Sequence, residues 1–126
     1  MKVLNILSTP WRATLEEQDD TVVWLTHAMI GAGAEIDVLL TGEAAAYAAP
    51  NLNASGLTIG GMPQTQPPDI NRDLNSLLEK GRQVFVCQHA MTQLGLHEDQ
   101  TSPSITPLLS HELAPLLDNY DQIWQW

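Results

Sequence analysis

The sequence predicts a three-layer α/β/α domain with a mainly parallel sheet of about five strands. Short apolar runs rich in Val, Ile and Leu alternate along the chain with stretches of helical periodicity. The breaks between them fall at Gly, Pro or helix-capping residues. At 126 residues, 44% of them apolar, the chain can bury one core without disulfides, so residues 1–126 read as a single domain.

The elements follow in order. Val3–Leu7 is an apolar run closed by Ser8-Thr9-Pro10, which predicts a buried first strand. Ser8–Gln18 is a polar loop holding Trp11 and Arg12. Asp19 or Asp20 then caps a helix to about Ala32, because Val22, Leu25, Met29 and Ile30 keep helical spacing and Gly31 and Gly33 end it. Glu35–Leu40 is a second strand and Thr41-Gly42 its turn. Glu43–Ala49, rich in alanine, predicts a short helix stopped by Pro50. Residues 51–68 form a long loop with an extended piece at Leu57–Ile59 and a turn at Gly60-Gly61. Asp69 caps a helix in which Ile70, Leu74, Leu77 and Leu78 share one face, and Gly81 closes it. Gln83–Cys87 is a third strand, followed by a short helix from Gln88 to Leu94 ended by Gly95. Ile105–Leu109 reads as a strand confined to an edge by Pro107. Ser110 is the expected N-cap of a helix to about Asn119, with Pro115 inside it, and Gln122–Trp126 is the last strand. Alternation of this kind implies right-handed crossovers, and the flavodoxin-like strand order is the default for them.

Charge narrows the partners. Fifteen acidic against five basic residues give a formal charge of −10. That excludes a nucleic-acid binder built on clustered Lys and Arg, and it disfavours anionic membrane surfaces. The N-terminal apolar run is too short for a signal peptide, and no stretch is long enough to span a membrane. A single cysteine forms no internal disulfide, which points to a reducing compartment, the cytoplasm.

Ligands of parallel α/β sheets bind beyond the carboxyl ends of the strands. Three segments should meet there: Ser8–Arg12, Thr41–Glu43 and Cys87–His89. Cys87 falls between a strand and a helix, where helix-end N–H groups would point at its sulfur and favour a thiolate. His89 and Arg12 are the cations within sequence reach, Gln88 stands beside it, and Ser8, Thr41 and Gly42 would shape the pocket. The competing reading is an inert cysteine packed at a strand end. His27, His89, His97 and His111 lack the paired spacing of a metal site, so no metal is expected. No triad, nucleophile elbow, Walker loop or dinucleotide fingerprint is present, and the loop after the first strand lacks the glycine that flavin phosphate binding would favour. Of the four tryptophans, Trp11, Trp24, Trp124 and Trp126, the last two share one side of the terminal strand at period two and serve either the core or a subunit interface.

Four stretches together resemble the DsrE-like family, which includes TusD-type sulfur-relay subunits: Lys2–Leu7, Val38-Leu39-Leu40-Thr41-Gly42-Glu43-Ala44, Val84-Phe85-Val86-Cys87 with Gly95-Leu96, and Glu112-Leu113-Ala114 to Tyr120-Asp121-Gln122-Ile123-Trp124. The resemblance implies a cofactor-free sulfur carrier or sulfurtransferase in which Cys87 holds sulfur as a persulfide and passes it between donor and acceptor proteins. It also implies homo- or hetero-oligomers, often trimers or hexamers. Two positions depart from relatives: Ala90 stands where some carry a second cysteine, and Leu94 where many carry an arginine. A non-catalytic oligomeric binding domain of the same fold is the alternative, and a flavin or small-ligand binder a third.

Overall fold

The computed structural model describes residues 1–10, 20–50, 52 and 56–126. In chain order it comprises β1 (Lys2–Leu7), α1 (Thr21–Gly31), β2 (Glu35–Leu40), a 3₁₀ segment (Gly42–Ala48), the paired strands β3 (Thr58–Ile59) and β4 (Met62–Pro63), and α2 (Ile70–Glu79). There follow β5 (Val84–Cys87), α3 (Gln88–Gln93), a 3₁₀ turn (Glu98–Gln100), β6 (Thr106–Leu108), α4 (Ser110–Leu117) and β7 (Gln122–Gln125).

Five strands form one parallel sheet in the order β6-β5-β2-β1-β7. The parallel three-layer class is as expected, but the flavodoxin-like default order is not. That order puts the second strand outside the first. Here the chain steps from β1 to β2 to β5 to β6 in one direction and returns to the far side of β1 only with β7. Burial follows the arrangement. β1, β2 and β5 at the centre are almost wholly buried, whereas β6, which carries Pro107, and the largely exposed β7 are the edges.

Right-handed crossovers made in one direction leave their helices on one face of the sheet. Val22, Val23, Ala44, Tyr47, Leu74, Leu77 and Met91 accordingly pack on Val38, Leu40, Val84 and Val86 in one core. The reversed crossover puts α4 on the other face, where Leu113, Leu116 and Leu117 cover Leu4, Leu39, Phe85 and Leu108. Period-two alternation along β2 and β5 divides their residues between the two cores.

Buried polar groups are paired. Asn5, in the middle of β1, donates to the Thr26 hydroxyl (2.8 Å) and accepts from the Trp126 indole, tying β1 to α1 and β7. Asp37 accepts from the Gln83 N–H and the Tyr120 hydroxyl, both at 2.8 Å. Burial, and then the Asp37 carboxylate, push the Tyr120 phenol well above its ordinary range. The Lys2 ammonium lies 4.8 Å from the centre of the Tyr120 ring.

Local departures from the sequence reading have local causes. The short helix expected at 43–49 is present as a 3₁₀ helix over Gly42–Ala48, and the N–H groups of Thr41 before it and Ala44 within it donate to the Leu7 and Ser8 carbonyls. Ala44, Ala45 and Ala48 permit that close approach and are fully buried. The Leu57–Ile59 piece is one arm of a hairpin turned by Gly60 and Gly61, both at positive φ, the signature of a type I′ turn. Ser110 is the first residue of α4 rather than its cap. Leu109 precedes the helix, and its N–H donates to the Glu112 carboxylate at 2.7 Å. Asp20 and Asp69 cap α1 and α2 through their carboxylates as expected, while Asp19 lies outside the described residues. Trp124 of β7 is half-buried and Trp126, just after it, more exposed, so neither is core.

His27 joins α1 to α2. Its Nδ1 accepts from the Lys80 ammonium (2.8 Å), so Nε2 carries the proton donated to the Asp73 carbonyl (2.9 Å). Burial and the Lys80 charge hold its pKa below the ordinary 6.5, outweighing the Asp73 carbonyl that favours the proton. The unfolded chain therefore binds this proton more readily than the folded one. The contribution of His27 to stability is complete above pH 6.5 and is lost as pH falls through the folded value. Urea unfolding should show a lower midpoint at pH 5 than at pH 7.5, and His27→Gln should reduce that difference. An unchanged pH dependence in the variant would contradict the linkage.

Candidate functional site

The carboxyl ends of β1, β2 and β5 form one row. Leu7 is level with Leu40, and Leu40 with Val86. Ser8 and Thr41 directly follow the ends of β1 and β2, and Cys87 is the last residue of β5. Cys87 is also level with Leu108 of β6. Three of the predicted segments thus meet at one edge through their residues Ser8, Thr41, Gly42 and Cys87.

Hydrogen bonds lock the first half of that row. The Thr41 N–H and hydroxyl donate to the Leu7 carbonyl at 2.8 and 3.3 Å. The Ser8 N–H and hydroxyl both donate to the Trp126 carbonyl, at 2.9 and 2.7 Å. Gly42 has φ +50°, and a Cβ there would stand 3.3 Å from the Ser8 carbonyl oxygen. A side chain at Gly42 would be strained and would crowd that oxygen.

Cys87 ends β5 and is the residue from which α3 starts. It is 7% exposed and packs with the α1–α3 core. Its side chain caps none of the α3 N–H groups, in contrast to the expectation that these would point at the sulfur. The extended backbone at Cys87, φ −70° and ψ 115°, starts the helix without that bond. α3 has six residues, so its dipole is short as well.

Gln88 is half-buried at the start of α3, and its carbonyl accepts from the Thr92 hydroxyl at 3.1 Å. His89 is exposed, whereas Ala90 and Met91 supply the buried face. Residues two apart on a helix stand roughly 200° around its axis and do not face each other. Arg12 lies outside the described residues. Among the described residues no three His, Cys, Asp or Glu side chains are grouped to hold a metal. A polar groove of about 620 Å³ runs along α2, lined by Asp69, Arg72, Asn75, Glu79 and Ser102, and none of the predicted site residues line it.

A buried pair escaped the sequence reading. Asp20 is fully buried, and it accepts from the N–H groups of Val22 (2.8 Å) and Val23 (3.2 Å) and from the Tyr47 hydroxyl. Tyr47 is also fully buried, in the 3₁₀ segment that packs on β5 and α3. The cap was legible, since Asp20 precedes an apolar helical run. Its second partner lies 27 residues away and carries no local signal.

A model of the DsrE/DsrF-like family matches residues 1–125. Two solved structures share the fold. The ychN protein of E. coli is 14% identical with a TM-score of 0.74, each chain covering 100% of the other. The protein of unknown function MTH1491 from Methanobacterium thermoautotrophicum is 11% identical with a TM-score of 0.64, over 97% of this chain and 96% of that one. No curated protein matches the sequence.

The Asp20–Tyr47 pair gives a direct test of how the edge is held. Tyr47→Phe removes one donor from a buried carboxylate while keeping the ring. It should lower stability by about 1–3 kcal/mol, read from urea unfolding. A midpoint equal to that of the parent protein would show that Asp20 is satisfied without Tyr47.

Proposed function

The chain belongs to the DsrE/DsrF-like family, and from that premise we propose that it is a sulfur-relay-type protein whose Cys87 carries sulfur as a persulfide. The observation that carries the reading is the position of Cys87. It ends a central strand at the carboxyl edge of a parallel sheet, where α/β domains hold their ligands.

The chemistry is an exchange without net redox change. The Cys87 thiolate attacks the outer sulfur of a donor persulfide, R–S–SH. A Cys87 Sγ–S bond forms, the donor S–S bond breaks, and the donor leaves as R–S⁻ while the proton stays on the transferred sulfur. Handing that sulfur to an acceptor thiolate reverses the step. Donor and acceptor are thiol proteins in this scheme, and no cofactor takes part. A lone thiol suits a reducing compartment such as the cytoplasm. No described helix is long and apolar enough to cross a membrane.

One observation favours a second reading. Cys87 is 7% exposed, sits in the main core and has no capping hydrogen bond, as a packed and inert cysteine would. The protein would then be an oligomeric binding domain without sulfur chemistry.

Intact mass separates the two. Incubation with a low-molecular-weight persulfide should add about 32 Da, one sulfur atom, as a reversible persulfide cap that a thiol reductant removes, unlike the irreversible sulfinic acid of similar mass. Cys87→Ser should gain nothing. A parent protein that stays unmodified, and whose thiol reacts with iodoacetamide far more slowly than free cysteine at the same pH, would leave the packing role.

A further inference from the structure

We propose that Tyr47 and Asp20 are positioning residues that govern access to Cys87: their hydrogen bond latches the 3₁₀ segment Gly42–Ala48 against the strand–helix junction that holds the thiol. The purpose of the latch rests on the sulfur-carrier reading of Cys87; the latch itself does not.

That reading has a steric requirement. Sulfur exchange needs the thiolate to meet its donor, and a stored persulfide is lost to any other thiol that reaches it. Cys87 must therefore be uncovered at one stage and covered at another. Here it is covered, at 7% exposed, within the main core. The 3₁₀ segment packs on β5 and on α3, the two elements that join at Cys87. Its Ala44, Ala45, Tyr47 and Ala48 belong to the same buried cluster as Cys87, Ala90 and Met91.

The segment is weakly held by its own structure. Hydrogen bonds of a 3₁₀ helix have poorer geometry than those of an α-helix, and runs of this length are uncommon. Its sequence, Gly-Glu-Ala-Ala-Ala-Tyr-Ala, brings one large apolar side chain, since each alanine offers a single methyl group. Backbone bonds fasten both ends. The Ala44 N–H donates to the Ser8 carbonyl (3.3 Å), and the Ser102 N–H to the Ala48 carbonyl (2.8 Å). Between them stands Tyr47, the bulkiest fully buried side chain among the described residues.

Asp20 divides its two oxygens between two tasks. Oδ1 accepts from the Val22 and Val23 N–H groups and so caps α1, while Oδ2 accepts from the Tyr47 hydroxyl. Capping needs one oxygen, which serine supplies as well. Burying a whole carboxylate is costly unless its oxygens are bonded. The second oxygen is accounted for by the latch and not by the cap.

Alkylation of Cys87, the single thiol of the chain, by iodoacetamide reads the latch. A covered thiol is labelled through its open form, so the rate follows the population of that form. Three variants are compared with the parent in urea below the unfolding transition. Tyr47→Phe keeps the ring, Asp20→Ser keeps the cap and removes the oxygen that Tyr47 uses, and the third carries both substitutions. Each single variant should be labelled roughly fivefold faster or more, the factor that loss of a buried hydrogen bond implies. The double variant should be no faster than the faster single one, because both substitutions break the same bond. The rate should rise with urea far less steeply than the unfolding constant does, as befits a local opening. Tyr120→Phe removes a buried bond from Asp37, level with Leu4 in the amino half of the sheet. It should lower the unfolding midpoint without speeding the labelling. Labelling indifferent to Tyr47→Phe, factors that multiply in the double variant, a urea dependence equal to that of unfolding, or equal acceleration by Tyr120→Phe would each overturn the proposal. The sulfur reading fails separately: a chain that shows the latch pattern but never gains the mass of about 32 Da from a persulfide has a latched thiol and no relay.

Discussion

Every crossover between neighbouring parallel strands must turn right-handed to pack back on its sheet, and the arrangement of this protein descends from that constraint. Three crossovers made in one direction pile α1, the 3₁₀ segment, α2 and α3 on one face. The single reversal, from β6 across the sheet to β7, leaves α4 alone on the other. Because all five strands run the same way, every carboxyl end falls on one edge. Ser8, Thr41 and Cys87 stand at the carboxyl ends of three neighbouring strands for that reason, although 33 and 46 residues separate them along the chain.

The polar groups inside this frame fasten elements that are distant in sequence. Asn5 joins the first strand to the last residue of the chain through the Trp126 indole. Asp20 holds the start of α1 to Tyr47. Asp37 joins β2 to the residues that lead into β5 and β7. Leaving such a group buried without a partner costs about 1–3 kcal/mol, so each narrows the choice of packing as well as adding to stability. Cys87 differs from them. Its thiol needs no partner when neutral and can sit among apolar neighbours without such a penalty. Its burial is therefore compatible with a purely structural thiol, and its position at the carboxyl edge with a reactive one.

Much of this was legible in the sequence, for identifiable reasons. β2 has the bounds its composition suggested, Asp20 and Asp69 are caps, and Pro107 lies on an edge strand. Those features depend on residues within one turn or one strand of each other. The bonds that tie Thr41 and Ala44 to the Leu7 and Ser8 carbonyls were not legible, because their acceptors lie more than thirty residues upstream. Nor was the strand order, since apolar runs of similar composition do not name their neighbours. At the candidate site, the placement of Ser8, Thr41, Gly42 and Cys87 at the carboxyl ends of their strands followed from topology alone. The lack of capping by the Cys87 sulfur and the outward face of His89 needed coordinates.

By itself the sequence determined the alternation of strand and helix, the parallel three-layer class, the acidic surface and the presence of one thiol at the end of one strand. These are properties of periodicity, composition and local backbone preference. Only the tertiary structure decided that β1 lies between β2 and β7, that Asp20 meets Tyr47, and that Leu57, Ile59 and Met62 at the hairpin are exposed. Such facts depend on which surfaces come together once the chain has collapsed, and pairing across a core has no signature in the local order of residues.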